Sequence, residues 1–474
     1  MDDLLPYRDA LGADYVLTGK DMDRWSGDWQ GVYAWTPIAV LRPSSTTEVS
    51  AAVKIARVLG HKVVPVSGMT GLAGGTFADG QIMISLDRMN KIERIRPESR
   101  LAIVQAGAIL SNIHDAAGKH DLVFPLTFGA KGSACIGGSL STNAGGSNVV
   151  RYGNTRDLCL GVEVVLPNGD IMNLMSELHK DNSGFNLKHL VIGAEGTLGI
   201  ITRAVLKLFP KPKAYGTAMI AVPSLNDALG LLNRLQQDTG GTVEAFEFMP
   251  QSYLDHLTNL KPETRAPFSE RYEFNVLVEI GSTIQSECTP SGDGSIPLIH
   301  KFETLLGELF EEELLLDAVI AKNEAERQEM WLRREAAAEV QLHNPPLVSN
   351  DVAVPLDKIA EFNEVAHKRV WTILPNAVIH TIAHLGDGNL HFTVELGAEN
   401  AHLKNEVMEA VEDVVLEYGG SFSAEHGIGL SKLPSMMRRK DPVALAAMRA
   451  IKQALDPDNI MNPGKLLPPD DRPG

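Results

Sequence analysis

At 474 residues the chain is long enough for about three domains and a substantial buried core, which excludes a small stapled scaffold. With 44% hydrophobic and 22% charged residues it lies near the globular average, which excludes wholesale disorder. A formal charge of −17 argues against global capture of nucleic acid or an anionic membrane surface, so an anionic ligand needs a local site.

Cys135, Cys159 and Cys288 lack CxxC spacing, which excludes a disulfide framework or thiolate zinc cluster and reads as buried thiols in a reducing compartment. MDDLLPYRDALG lacks a basic segment leading into an apolar run, and no stretch reaches the roughly 18 apolar residues of a membrane span. The expectation is a cytoplasmic protein with no transmembrane segment.

From Ala39 to Leu110 the runs IAVLRP, KVVPVSG, IMISLD and LAIVQAG, with TTEVSAAVKIARVLG among them, predict a βαβ opening. Its helix is expected to be capped by Ser45, Thr46 or Thr47, to bury Val49, Val53, Ile55 and Val58, and to stop at Gly60. The glycine-rich GAKGSACIGGSLSTNAGGSNVVRYG is expected to form no ordinary element. LGVEVVLPNGDIMNL reads as a hairpin turning at Pro167 to Asp170 and GIITRAVLKLFP as a strand, after which Pro210 and Pro212 mark a domain boundary. Beyond it, helical periodicity in SLNDALGLLNRLQQ, LIHKFETLLGELFEEELL and NEAERQEMWLRREAAAEV alternates with strand-like FNVLVEI and AVIHTIAHLG. Glu311, Glu312 and Glu313 read as a solvated helix face. The last fifty or so residues combine a glycine-rich turn with a helix ended by Asp456-Pro457.

Three loops carry the first chemistry. In PVSGMTGLAGGTF, glycines 68, 71, 74 and 75 can take positive φ and turn successive N–H groups toward one point, a pyrophosphate cradle. It matches neither GxxxxGK[ST] nor a clean GxGxxG, which argues against a nucleotide kinase and an ordinary Rossmann dehydrogenase. The run from Gly129 to Gly146 offers Ser133, Ser139, Ser141, Thr142 and Asn143 to a ribityl or phosphate chain, and GAEGTLGIIT repeats the pattern before a strand.

With LGVEVVLPNGDI, KDNSGFNLKHLVIGAEGTLGIIT and the terminal NPGK, these motifs resemble the FAD-dependent oxidoreductases with a vanillyl-alcohol-oxidase (PCMH-type) flavin domain, from about Thr36 to Leu467. Within that superfamily the chain is most similar to the D-2-hydroxyglutarate dehydrogenases and their D-lactate dehydrogenase and glycolate oxidase relatives. The resemblance implies an α+β fold. A PCMH-type two-subdomain FAD-binding domain occupies 1–213, with its core at about 36–213. An α+β substrate or cap domain, an antiparallel sheet with helices, follows over 214–420, and a short C-terminal helical segment over 421–474 returns to the flavin site.

The resemblance also implies non-covalent FAD, since no histidine stands in the first loop. Its binding residues would be Pro65, Ser67, Gly68, Met69, Thr70, Gly71 and Leu72 in that loop. Gly132, Ser133, Gly137, Gly138, Ser141, Thr142, Asn143, Gly145 and Gly146 would follow in the second, then Glu195, Gly196, Gly199, Ile200 and, near the end, Asn462. A homodimer, with electron-transfer flavoprotein or a quinone as electron acceptor, is the family expectation.

His384 and His391 bracket Gly386-Asp387-Gly388-Asn389, which reads as strand, tight turn and returning strand, and Glu425 and His426 stand in AEHGIG. Two imidazoles and a carboxylate make a zinc set with a position open for substrate. The resemblance assigns His384, His391 and Glu425 as divalent-metal ligands and His426 as catalytic base. It places the substrate-binding arginine of MWLRREAAAEV at Arg334, whose neighbour Arg333 points about 100° away on a helix. The chain departs from the hydroxyglutarate pattern at the substrate wall. Ala338 stands where those enzymes have threonine, Ser349-Asn350 where they have lysine, and Thr393, a substrate-binding candidate, where asparagine is common. The expected activity is oxidation of a D-2-hydroxy acid, D-2-hydroxyglutarate or D-lactate, to the 2-oxo acid by hydride transfer to flavin. The alternatives are a sugar or alcohol oxidase on the same flavin fold, a flavin-binding subunit of a larger oxidase, or a zinc hydrolase.

Overall fold

The structure, a computed structural model, describes residues 3–469, so positions 470–474 of the expected C-terminal segment lie outside the described residues. It divides into two compact units. One comprises the chain up to Gly145, Gly153–Pro210 and the chain from His426 on, and the other comprises Gly146–Tyr152 and Lys211–Glu425.

The first unit holds two principal sheets. Strands β1 (Val16–Leu17), β2 (Ala39–Leu41), β3 (Val63–Val66) and β4 (Ile82–Ser85) make a four-stranded sheet in the order β1-β2-β4-β3. Its β2–β4 and β3–β4 pairs are parallel, as the expected βαβ opening requires. Strands β5 (Ile92–Arg96), β6 (Leu101–Gln105), β8 (Cys159–Val165), β9 (Ile171–Leu174) and β10 (Ile200–Lys207) make an antiparallel sheet in the order β5-β6-β10-β8-β9, while β7 (Leu122–Val123) pairs with β11 (Phe209–Pro210). The helix Thr46–Leu59 joins the two sheets, because Thr46 Oγ1 donates to Glu163 on β8 at 2.5 Å and Ser50 Oγ to the Gly169 carbonyl at 2.5 Å.

Ser45 caps that helix by accepting the Glu48 N–H, and Gly60 ends it in the left-handed region. The buried stripe is Val49, Ala52, Val53 and Ala56, whereas Ile55 is only half-buried and Val58 is 85% exposed, which corrects the expected stripe. Small alanines fill the positions one turn on, so the larger residues are turned outward. The glycine-rich run also differs from expectation, since Ile136–Thr142 within it is a helix. Gly137 allows this helix to press against the Ala106 backbone, whose carbonyl oxygen would stand 2.9 Å from an added Cβ. Cys135 and Cys159 are buried, and Cys288 is half-buried.

The second unit is built on one antiparallel sheet of seven strands: β12 (Ala214–Val222), β13 (Val243–Pro250), β14 (Phe274–Ser282), β15 (Asp317–Ile320), β16 (Leu347–Ala353), β17 (Ile379–His384) and β18 (Asn389–Glu395). Their order is β15-β12-β14-β13-β17-β18-β16. Alternation divides each strand between two layers. Phe246, Phe248, Phe392 and Val394 enter the larger core with residues of the helices Leu225–Asp238, Pro297–Glu311, Ile359–Ile373 and Lys404–Glu417. Met249, Leu277 and Ile382 face the opposite layer, with Tyr253, Leu254 and Leu257 of the helix Gln251–Leu260 and Met330 of the helix Glu324–Glu335.

Two chain boundaries fall elsewhere than the motifs imply. Residues Gly146–Tyr152, expected inside the flavin domain, belong to the second unit, where Asn148 Nδ2 bonds Glu244 at 3.1 Å and Tyr152 Oη donates to the same carboxylate at 3.0 Å. Residues 421–425, expected with the C-terminal segment, also stay there, because Ser421 N–H donates to the Ala353 carbonyl at 2.7 Å and Ala424 N–H to that of Asp351 at 3.2 Å.

Candidate active site

In the first unit the loop after β3 is a run of unused donors, mostly half-buried. Among the described residues no protein acceptor takes a backbone N–H from Gly68 to Thr76. Gly68 is required by close approach, since a Cβ there would lie 2.6 Å from the Ser133 carbonyl oxygen of the second loop. Met69, Asn143 and Glu195 all take positive φ in these loops. A concave run of unpaired N–H groups suits the oxygens of a pyrophosphate. Asn462 ties the loops together by donating to the carbonyls of Gly75 at 3.0 Å and Glu195 at 2.7 Å, while its buried Oδ1 has no partner among the described residues. These features fit an extended, phosphate-bearing cofactor.

Other expected flavin contacts have internal roles as well. Ser141 Oγ donates to the Gly137 carbonyl at 2.7 Å and Thr142 Oγ1 to that of Gly138 at 3.2 Å, leaving oxygen lone pairs for a ligand. Glu195 accepts the N–H groups of Ile428 and Gly429, each at 2.8 Å, and so fixes the turn that follows His426. Burial raises its pKa although those two N–H groups oppose the shift. Gly132, Gly145, Gly196, Gly199, Ile200, Pro65, Ser67, Thr70 and Leu72 lie in the same unit, and Gly146 opens the segment held by the other.

In the second unit β17 and β18 form the hairpin expected from GDGN, with Gly388 at φ 86° in the turn. Asp387 Oδ1 accepts the Asn389 N–H at 3.1 Å, and burial pushes its carboxyl up to about 6. The register pairs His384 with Asn389 and Ile382 with His391, which sets both imidazoles on the face opposite the phenylalanine core. Their ring centroids stand 5.4 Å apart. Glu425 Oε1 lies 3.9 Å from His384 Nε2 and 3.6 Å from His391 Nε2. Zinc ligands at 2.0–2.1 Å in a tetrahedron are about 3.4 Å from one another, so the spacing of Glu425 from His391 is close to that of a ligand pair and its spacing from His384 is longer.

Carboxylates stand behind the set. Glu247 Oε1 is 2.9 Å from His384 Nδ1, and Asp351 Oδ1 is 3.9 Å from His391 Nδ1. Asp351 also accepts the Glu425 N–H at 3.0 Å and an Asn389 amide N–H at 2.9 Å, so it holds two expected site elements in place. For His384 the hydrogen-bonded partner on Nδ1 leaves Nε2 as the ligand atom, the usual arrangement behind a metal-bound histidine. Burial lowers the His384 pKa, but Glu247 outweighs it and carries the ring up to about 9. Burial likewise raises Glu247, while His384 and Arg334 hold it below the usual carboxylate range.

On the helix Glu324–Glu335, Arg327, Trp331 and Arg334 recur at i, i+4 and i+7 and therefore face the sheet together. Arg327 and Trp331 reach Glu279 at 2.7 and 2.8 Å, and Arg334 Nε reaches Glu247 at 2.6 Å with Nη2 3.4 Å from His384. Arg333 turns to the Arg265 carbonyl at 3.0 Å and Glu329 at 2.8 Å. The structure thus brings Arg334, not Arg333, to the imidazoles. Thr393 is fully buried on the same face, 3.5 Å from the Ser349 hydroxyl, while Asn350 pairs with Phe392 on the other. His426 is half-buried and follows Glu425 by one peptide bond.

Sequence reasoning missed Glu247 and the bracing role of Asp351. A visible signal existed for the first: a glutamate between Phe246 and Phe248 must be paired if the strand is buried.

The FAD binding domain family matches residues 37–175, and the family of FAD linked oxidases, C-terminal domain, matches 211–466. The D-2-hydroxyglutarate dehydrogenase of Xanthomonas citri pv. viticola is 34% identical, over 96% of this chain and 94% of its own. The mitochondrial D-2-hydroxyglutarate dehydrogenase of Arabidopsis thaliana is 32% identical over 98% and 81%. In fold, the chain is similar to p-cresol methylhydroxylase, with TM-score 0.73 and 18% identity over 98% of this chain and 96% of that one. It is also similar to 4-ethylphenol oxidase of Gulosibacter chungangensis, with TM-score 0.72 and 17% identity over 98% and 97%. The chain belongs to the FAD-linked oxidase family, alongside relatives named D-2-hydroxyglutarate dehydrogenase.

Proposed function

We propose that the protein is an FAD- and divalent-metal-dependent dehydrogenase that oxidises a D-2-hydroxy acid to the 2-oxo acid. The observation that carries this reading is the convergence of His384, His391 and Glu425 beside Arg334, with Glu247 holding both His384 and Arg334. When bound, the flavin supplies the hydride acceptor and the metal, zinc in this reading, the Lewis acid that makes the α-hydroxyl acidic.

The chain's own groups do the rest. Arg334 pairs with the substrate carboxylate, and His426 takes the hydroxyl proton as the α-carbon hydride leaves. Glu247 keeps Nδ1 of His384 engaged, so Nε2 stays turned to the ligand position. Along the sheet the next cross-strand row is His380, Thr393 and Ser349, which contains no lysine or arginine. A second substrate carboxylate would find no lysine or arginine partner in that row, so D-lactate and D-2-hydroxyglutarate, the latter in the names of the relatives, both stand in this reading. Electron-transfer flavoprotein or a quinone as oxidant, a homodimer and a cytoplasmic setting complete the reading, on the family resemblance. Among the described residues no helix is long and apolar enough to cross a membrane.

The test is anaerobic addition of D-lactate, D-2-hydroxyglutarate and their L-enantiomers to the metal-replete flavoprotein. Bleaching of the flavin band by D-acids only is expected, and a spectrum unchanged by every 2-hydroxy acid would refute it.

A further inference from the structure

The sheet face that carries the first cluster carries a second of like make. His380 lies on β17 two alternations before His384, and Glu395 lies on β18 two alternations after His391, so both face the same way. His256, on the helix Gln251–Leu260, completes the group. Glu395 Oε1 is 3.3 Å from His380 Nε2 and 3.9 Å from His256 Nδ1. The rings of His256 and His380 stand 5.1 Å apart at 74°, against 5.4 Å and 79° for His384 and His391. All three ligand atoms lie within 4.8 Å of one another.

His380 is 1% exposed and turns its Nε2 to Glu395, so a donor nitrogen of a buried ring faces the cluster, while its Nδ1 has no partner among the described residues. Burial lowers its pKa, against the pull of Glu395. His256 and Glu395 are half-buried, which leaves a way in for an ion, and Asn344 Nδ2 stands 3.3 Å from each Glu395 oxygen at the rim.

We propose that His256, His380 and Glu395 form a second divalent-metal site of the zinc class, clipping the helix Gln251–Leu260 to the β17–β18 hairpin. Its donors, two imidazole nitrogens and one carboxylate oxygen, match that class. No carboxylate backs His380 as Glu247 backs His384, so the site binds its ion about 10- to 100-fold more weakly than the first.

The experiment is equilibrium dialysis of the chelator-stripped, FAD-loaded protein against buffered Zn²⁺, with metal counted per chain. Wild type is expected to hold two ions. His256→Ala and Glu395→Gln are each expected to hold one and to keep flavin reduction by substrate, and His384→Ala to hold one, at the second site. In the His384→Ala background Zn²⁺ should still raise the unfolding midpoint, and adding His256→Ala should remove that rise. One ion per chain in wild type, or two retained by both His256→Ala and Glu395→Gln, overturns the proposal. Buried His380 is left intact, so a folding defect cannot imitate the result.

Discussion

The two histidine–carboxylate clusters share a sheet face, a ring geometry and a donor set, yet differ in what stands behind them. His384 is backed by Glu247 at 2.9 Å and His391 by Asp351 at 3.9 Å, whereas Nδ1 of His380 meets nothing among the described residues. The first cluster also has Arg334 beside it and His426 next in the chain. Donor atoms alone make a place for an ion. Fixed orientation, a cation for the substrate and a base turn such a place into a candidate for chemistry.

The sharpest way to break this contrast is to remove the proposed base. His426→Ala should lower the rate of anaerobic flavin reduction by about 10²–10⁴ while FAD stays bound, and an unchanged stopped-flow rate would remove His426 from the reaction. Next in size is Glu247→Gln, which strips the backing from the first cluster and leaves Arg334 buried beside an uncharged amide. A loss of about 3–5 kcal/mol in denaturant unfolding is expected, together with weaker Zn²⁺ retention. Wild-type stability and metal content in that variant would show that the backing carboxylate does nothing.

A graded chelator series sharpens the comparison further. Turnover should survive the first ion released and vanish with the second, since the unbacked cluster empties first. Loss of turnover with the first ion would reverse that ranking. The smallest effect is on substrate choice. Ala338→Thr combined with Ser349→Lys supplies a charged partner worth about 1.5–3 kcal/mol, so kcat/KM for D-2-hydroxyglutarate relative to D-lactate should rise about tenfold or more. No change in that ratio would place the distal end of the substrate elsewhere.

Much of the first cluster was legible because it is local. His384 and His391 are joined by a turn whose glycines admit only a hairpin, and Ser45, Glu48 and Gly60 announce their helix by capping chemistry. Glu247 was not, because its place depends on the pairing of β13 with β17, which sets it opposite His384 across 137 positions of chain. The second cluster was hidden for the same reason, since His256 comes from a helix that only packing brings to the hairpin. Ile55 and Val58 were misread because periodicity does not say whether an alanine or a larger neighbour fills the buried stripe.

The Asn462 tether has a consequence for the order in which this protein can be made. Val63 N–H donates to the Ile460 carbonyl at 2.7 Å, and Asn462 holds the carbonyls of Gly75 and Glu195, so the cradle emerges early in synthesis and waits for a latch almost 400 residues downstream. A nascent chain halted before that latch would present donors to phosphate with nothing to hold them in place. The dinucleotide pocket is therefore a product of finished translation, and premature termination near the end should cost the yellow colour before it costs the second unit's sheet.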